Sequence, residues 1–403
     1  MRELLANRRY ALYLASRLAL IVATQMLSVA VGWQVYEITG QALALGFSGL
    51  ALFLPGFVFS LAGGAVADRF DRRRILCVCH VGVALSAALL GVMAWRGVHT
   101  LAPIYAILAA LGTIRAFSGP AGQALMPNLV ERSQLEKAVA LGSSSWQLAM
   151  IAGPSVGGAI YAATAHASAV YATCCVMAVL AFVCVVAIGT IPSAPRTREP
   201  ANLATVLAGI RYVWSNKPIL GSISLDLFAV LLGGAVALLP IYAKDILHIG
   251  PWGLGILRSA PGAGAAIVAL VLTWFPVRRR AGITMLACVL LFGVATIIFG
   301  KSHTFVISLV SLFVLGGADM ISVVIRSTLI QTRTPDAMRG RVGAVNLVFI
   351  GASNELGEFE SGVTAAWLGP ELAVVAGGVG TCLVVLAWAL FFPDLRDVDR
   401  MDE

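Results

Sequence analysis

Residues 63–74 read Gly63-Gly64-Ala65-Val66-Ala67-Asp68-Arg69-Phe70-Asp71-Arg72-Arg73-Arg74. Apolar runs flank this stretch on both sides, each long enough, at about 20 residues, to cross a bilayer. The stretch is too short for a domain and too charged for lipid, so it reads as a tight turn between two membrane helices. Gly63 and Gly64 let a neighbouring helix approach closely. Asp68 falls at the helix end, where arginines and the positive N-terminus of an adjacent helix both offer partners. The cluster of Arg69, Arg72, Arg73 and Arg74 predicts a cytoplasmic loop, because positive charge in short loops sets orientation.

The pattern extends outward over the whole chain. Hydrophobic residues make up 59% of it and charged residues 12%, which excludes an ordinary soluble domain. Twelve apolar runs are legible, at roughly 10–39, 44–67, 75–95, 101–126, 136–163, 168–190, 216–243, 252–275, 281–299, 304–330, 342–368 and 371–392. Most lysines and arginines fall in loops of one parity, so the net charge of +8 reports topology and not nucleic-acid binding. An even number of spans then puts both termini in the cytoplasm. The basic N-terminus runs straight into the first span without a small-residue cleavage site, and it is expected to be retained.

The fold class expected is an all-α membrane protein of twelve transmembrane helices in two pseudo-symmetric six-helix bundles. The bundles are residues 1–190 and 216–392. Between them, residues 191–215 form a cytoplasmic linker with Pro192, Pro195 and Pro200. Its second part, Leu203 to Trp214, has the spacing of an amphipathic surface helix. Residues 393–403 form a cytoplasmic tail. The halves repeat at an offset near 205 residues, which maps Arg72–Arg74 onto Arg278–Arg280 and the 127–137 loop onto 331–341.

All seven cysteines lie inside apolar runs, where free thiols behave as small hydrophobes. No disulfide framework, metal site or cofactor is expected. No phosphate-cradling loop, zinc-ligand spacing or nucleophile elbow is present, so the chain does not read as an enzyme.

The 63–74 stretch resembles the loop signature of the major facilitator superfamily, matched by Gly64, Asp68, Arg69, Arg72 and Arg73. Asp71 stands where that signature usually has glycine. Two further stretches, Gln331-Thr332-Arg333-Thr334-Pro335 and Gly340-Arg341-Val342, resemble the enterobactin-exporter-like, or transmembrane secretion effector, group. The resemblance implies a gate at the five matched loop residues and a substrate site between the two halves near the midplane. Span 5 carries Gly153-Pro154-Ser155-Val156-Gly157-Gly158, which resembles the helix-5 motif of the superfamily's exporters. On its residues alone it is a kinked packing helix. In span 4, Arg115 and Gly119 resemble a motif of proton-coupled drug antiporters, with Ser118 replacing its usual glutamine. A structural ion pair is the other reading of Arg115.

The second half carries the acids, Asp226, Asp319, Glu355, Glu358 and Glu360. Carboxylates facing lipid would be prohibitive, so they point to a polar interior. Glu355 and Glu358 lie one turn apart on one helix face, and close carboxylates resist ionising together. They are therefore the first proton-coupling candidates, opposed by Arg115, with Asp226 and Asp319 next. A structural network with Arg258 or Arg326 is their alternative. Gln25, Asn346, Asn354 and Arg326 are the candidates for lining a substrate cavity.

The resemblance implies proton-coupled export of a small amphipathic molecule, siderophore-like or drug-like, by a monomer in a bacterial-type inner membrane. Its partners would be that substrate, protons and membrane lipid, with no nucleic acid. The rivals are a proton-coupled importer of a metabolite or metal chelate, and a non-transporting receptor or scaffold on the same fold.

Overall fold

The computed structural model describes residues 4, 6–190, 203–277 and 279–399. Arg278, the linker prolines and residues 400–403 lie outside the described residues. Twelve long helical segments follow in order. They are α1 Arg8–Thr39, α2 Ala42–Arg69, α3 Arg72–Trp95, α4 Leu101–Leu125, α5 Leu135–Thr164 and α6 Ala167–Ala187, then α7 Lys217–Leu232, α8 Gly250–Trp274, α9 Ala281–Gly300, α10 Phe305–Arg333, α11 Asp336–Leu368 and α12 Pro370–Phe391. Among the described residues, ten helices are long and apolar enough to cross a membrane. The two long helices outside that set are α5 and α11, which hold the Gly-Pro motif and the glutamates.

Most helix ends fall within a few residues of the hydropathy expectation. Two places differ. The 331–341 loop shrinks to Thr334 and Pro335, because α10 continues to Arg333 and α11 starts at Asp336. Arg339 Nε donates to Gln331 O at 2.8 Å and Thr334 O at 3.2 Å, which ties this corner together. The other difference is span 7, expected as one helix and found broken. α7 stops at Leu232, and a 3₁₀ turn (Ala235–Leu238), a short α turn and a wide π turn (Tyr242–Ile246) complete the span. The break falls on Gly233 and Gly234, the residue type least favourable to helix apart from proline.

The chain divides into two compact units. One comprises Met1–Ile38, Ala51–Ala201 and Gly250–Ser259, the other Thr39–Leu50, Asn202–Ile249 and Ala260–Glu403. In the first, tyrosines bridge helices through backbone carbonyls. Tyr10 OH donates to Ala138 O at 2.8 Å and Tyr13 OH to Gly122 O at 2.9 Å. Tyr171 OH donates to Gln34 Oε1 at 2.6 Å, so these buried polar groups are satisfied.

In the second unit, the linker helix Leu203–Ser215 lies along the start of α11. Its Ile210 and Val213 pack with Ile330, Val342 and Val345, while Leu207, Arg211 and Trp214 are exposed. Tyr212 OH donates to Arg333 O at 2.9 Å. The tail is stitched to α9. Arg280 N donates to Asp399 Oδ1 at 3.0 Å, Ala281 N to Asp399 O at 3.2 Å and Gly282 N to Val398 O at 3.0 Å. These bonds satisfy donors that a helix N-terminus otherwise leaves open.

Candidate functional site

In the second unit, α7 and α10 bring two chain-distant charges together. Asp226 on α7 and Arg326 on α10 form a direct ion pair between Oδ2 and Nη1. Asp226 is 6% exposed and Arg326 1%. A charge buried this deeply is costly unless paired, and the pairing is the reason both are tolerated. Asp319 stands seven residues before Arg326 on α10, within electrostatic reach of both Asp226 and Arg326. A cavity about the size of one water molecule lies between the carboxyl-bearing helices, lined by Asp226, Ala229, Val230, Val289, Phe292 and Asp319.

Ser322 completes this face of α10. It follows Asp319 by three residues and precedes Arg326 by four, so all three share one side of the helix. It is 1% exposed, and its hydroxyl has no hydrogen-bond partner among the described residues. Ser322 carries neither charge nor motif, so in the sequence only its spacing from Asp319 and Arg326 marks it.

The glutamates of α11 sit in different surroundings. Glu355 and Glu358 are half-buried, and Glu360 accepts from Thr364 Oγ1 at 2.6 Å on its own helix. Glu358 lies over Gly49 of α2, where a Cβ would come within 2.9 Å of its Oε2. Gly46 meets Phe359 and Gly362 in the same way, and the Phe47 and Phe359 rings pack at 5.5 Å. Gly357 lies between the two glutamates in sequence and faces the broken end of α7. A Cβ there would come within 2.9 Å of Val230 O and 3.1 Å of Leu231 O. The glycine therefore lets α11 close onto the turn where α7 leaves its regular ladder.

Among the cavity candidates, Asn354 is exposed and its Nδ2 donates back to Ile350 O at 2.8 Å. Asn346 Oδ1 is buried without a hydrogen-bond partner among the described residues. Gln25, in the first unit, donates to Met150 Sδ at 2.6 Å. Arg115 is exposed on α4.

Gly153, Pro154, Gly157 and Gly158 of the helix-5 motif are buried, while Val156 is exposed. Gly153 packs on Gln25 and Gly157 on Met26 of α1. Gly158 and Pro154 lie against Pro251 and Gly255 at the start of α8, where a Cβ on Gly158 would meet Pro251 O at 2.5 Å. Ser155 and Ser259 share a 2.8 Å hydroxyl hydrogen bond, and Ser259 Oγ donates to Ile151 O at 2.7 Å. This is close small-residue packing with hydroxyls bridging between helices.

In the loop signature, Asp71 has a definite task. Its carboxylate accepts from Arg73 N at 2.9 Å and caps the N-terminus of α3. Arg73 reaches the opposite kind of terminus. Its Nε donates to Val185 O at 3.0 Å and its Nη2 to Val186 O at 2.7 Å, on the last turn of α6. Gly64 has open space around it, Asp68 and Arg72 are half-buried, and Arg69 is exposed. The Asp68 carboxylate has no hydrogen-bond or ion-pair partner among the described residues.

The helix order is that of a membrane transporter of the major facilitator fold. The structure aligns with the nucleoside transporter NupG at a TM-score of 0.73 and 14% identity, covering 94% of this chain and 98% of that one. It aligns with a D-xylose-proton symporter at 0.68 and 16% identity, covering 97% of each. The transmembrane secretion effector family matches residues 5–403, and the chain belongs to that family. It is 26% identical over 386 residues to the enterobactin exporter EntS of Shigella boydii serotype 18, covering 96% of this chain and 92% of the relative. The same identity and coverage hold for EntS of Escherichia coli O1:K1. The chain is accordingly a multi-pass membrane transporter for a small molecule, and not an enzyme.

Proposed function

We propose that the protein exports a small amphipathic molecule, siderophore-like or drug-like, by alternating access, driven by proton entry. It works as a monomer in a bacterial inner membrane, with both termini and the Arg72–Arg74 loop on the cytoplasmic side. Gly64, Asp68, Arg69 and Arg72 serve its cytoplasmic gate. Arg73 supports that gate by capping α6. The glycines of α5 provide a packing surface on which the gate's movements are borne.

One observation supports proton drive above the others. An unequal set of ionisable groups, the buried Asp226–Arg326 pair with the half-buried Asp319 beside it, sits inside membrane helices of a chain whose relatives along 96% of its length are exporters. Ionisable groups kept within a membrane span mark ion pathways and proton relays. Similarity to enterobactin exporters supports export and a siderophore-like substrate.

The test is transport in proteoliposomes with the cytoplasmic face outward. Labelled enterobactin and a panel of amphipathic dyes serve as probes. At least one probe should accumulate several-fold in an acidic lumen, and a protonophore should abolish the accumulation. Uptake driven by acid on the outside would mean import by symport. Absence of gradient-driven movement for every probe would remove proton-driven export of this substrate class.

A further inference from the structure

The charges around α10 do not balance. Asp226 and Arg326 neutralise each other through a direct contact. Asp319 lies seven residues from Arg326, about 10 Å along the helix axis at 1.5 Å per residue. It therefore feels the guanidinium only through space, while Asp226 holds the direct contact. Within this unit, the elements packed on this face offer no second cation. α9 and the Ala260–Trp274 part of α8 contain no lysine, arginine or histidine, and the half-buried Arg258 of α8 belongs to the other unit. On α7 the other charge is Lys217, exposed at the helix start and 3.8 Å from Asp394. On α10, Arg333 lies two turns beyond Arg326, in the last turn. On α11, Arg339 and Arg341 lie in the opening turns, while Glu355, Glu358 and Glu360 add negative charge. One negative charge is left over in a place where charge is costly.

We propose that Asp319 is the group that carries the transported proton, with Arg326 keeping Asp226 ionised beside it and the Ser322 hydroxyl bonding the protonated carboxyl. This rests on the proton-driven reading above and assigns its site. The proton arrives on water in the small cavity between Asp226 and Asp319 and adds to one Asp319 carboxylate oxygen. On release it returns to water, and the freed carboxylate draws on Arg326. The guanidinium then shifts its bonding between the two acids, which couples α7 to α10. A metal cation is disfavoured by the lining. Beyond the two carboxylates, the cavity wall is Ala229, Val230, Val289 and Phe292, and a hard cation needs several more oxygen ligands. Ser322 fits the proton reading because a hydroxyl can accept from a protonated acid and donate to an ionised one.

The test uses purified full-length protein and infrared difference spectra recorded across a pH titration, in choline chloride and in sodium chloride. At the frequency of a buried carboxyl, apart from the bands of the exposed acids, the parent should show one protonated-carboxyl band that grows as pH falls. Asp319→Asn should remove it, while Glu355→Gln and Glu358→Gln leave it unchanged. Ser322→Ala should keep the band and move its frequency, because the hydrogen bond is lost. In proteoliposomes, Asp319→Asn should cut gradient-driven flux at least tenfold.

A band that persists in Asp319→Asn, or vanishes with either glutamine variant, overturns the assignment. A band suppressed by sodium but not by choline overturns it in favour of a metal cation. Ser322→Ala keeps the test valid if Asp319→Asn fails to fold, since an unmoved band would also count against the site. A titrating Asp319 band without gradient-driven flux in the parent would sink the transport reading alone. Flux that survives Asp319→Asn would sink the site alone.

Discussion

Two acidic regions of the second unit invite comparison. α11 holds three glutamates within six residues, the densest run of acid in any span. α7 and α10 hold one aspartate each. Yet the sparse pair is the more constrained, with Asp226 and Arg326 almost wholly buried and joined directly. The glutamates are half-buried, and Glu360 is met by a threonine on its own helix. The number of carboxylates in a stretch says little about electrostatic cost. Depth and partner set that cost, and neither is a property of a single stretch.

Substitutions can break this contrast or sharpen it. Arg326→Met should have the largest effect, because it leaves Asp226 buried without its counter-charge. A loss of about 3–5 kcal/mol is expected, read as a collapse of the thermal transition in detergent. Adding Asp226→Asn to Arg326→Met should restore much of that loss, since an absent pair costs less than a broken one. If the double variant is as unstable as the single one, the pair is not the source of the cost.

Gly357→Ala comes next. Its methyl would meet the Val230 and Leu231 carbonyls at the break in α7, so about 1–3 kcal/mol should be lost through overpacking. An unchanged transition would show that α11 can back away from α7 freely. Thr364→Val should have the smallest effect, about 0.5–1.5 kcal/mol, for one hydroxyl bond to a half-buried glutamate. A loss as large as that of Arg326→Met would erase the distinction between the two regions.

The helices were legible because each is a long apolar run bounded by charge, glycine or proline. The break in α7 was not. Gly233-Gly234 reads equally well as a packing surface, and the choice is made by Phe292, Gly357 and Ser361 pressing on those two glycines from other helices. In the site, the residue types were visible and the pairing was not. Arg326 reads both as a cavity residue and as a network partner for the acids, and which acid it meets stays open because Asp226 lies on a different helix, far away in the chain. Glu355 and Glu358 drew first attention by their spacing, which reports a shared helix face but no depth. The task of Asp71 was half legible. An aspartate just before a helix is a cap by its chemistry, whereas the reach of Arg73 to the end of α6 depends on how α3 and α6 pack.

The bonds between the tail and α9 also carry a consequence for the order of events during synthesis. Arg280 waits for Asp399, which is 119 residues further along the chain. At about 5–20 residues per second, that wait lasts on the order of ten seconds. Throughout it, the first turn of α9 has only water or lipid headgroups to satisfy its donors. A ribosome that stalls after α12 would therefore release a chain with all its spans and one open helix end.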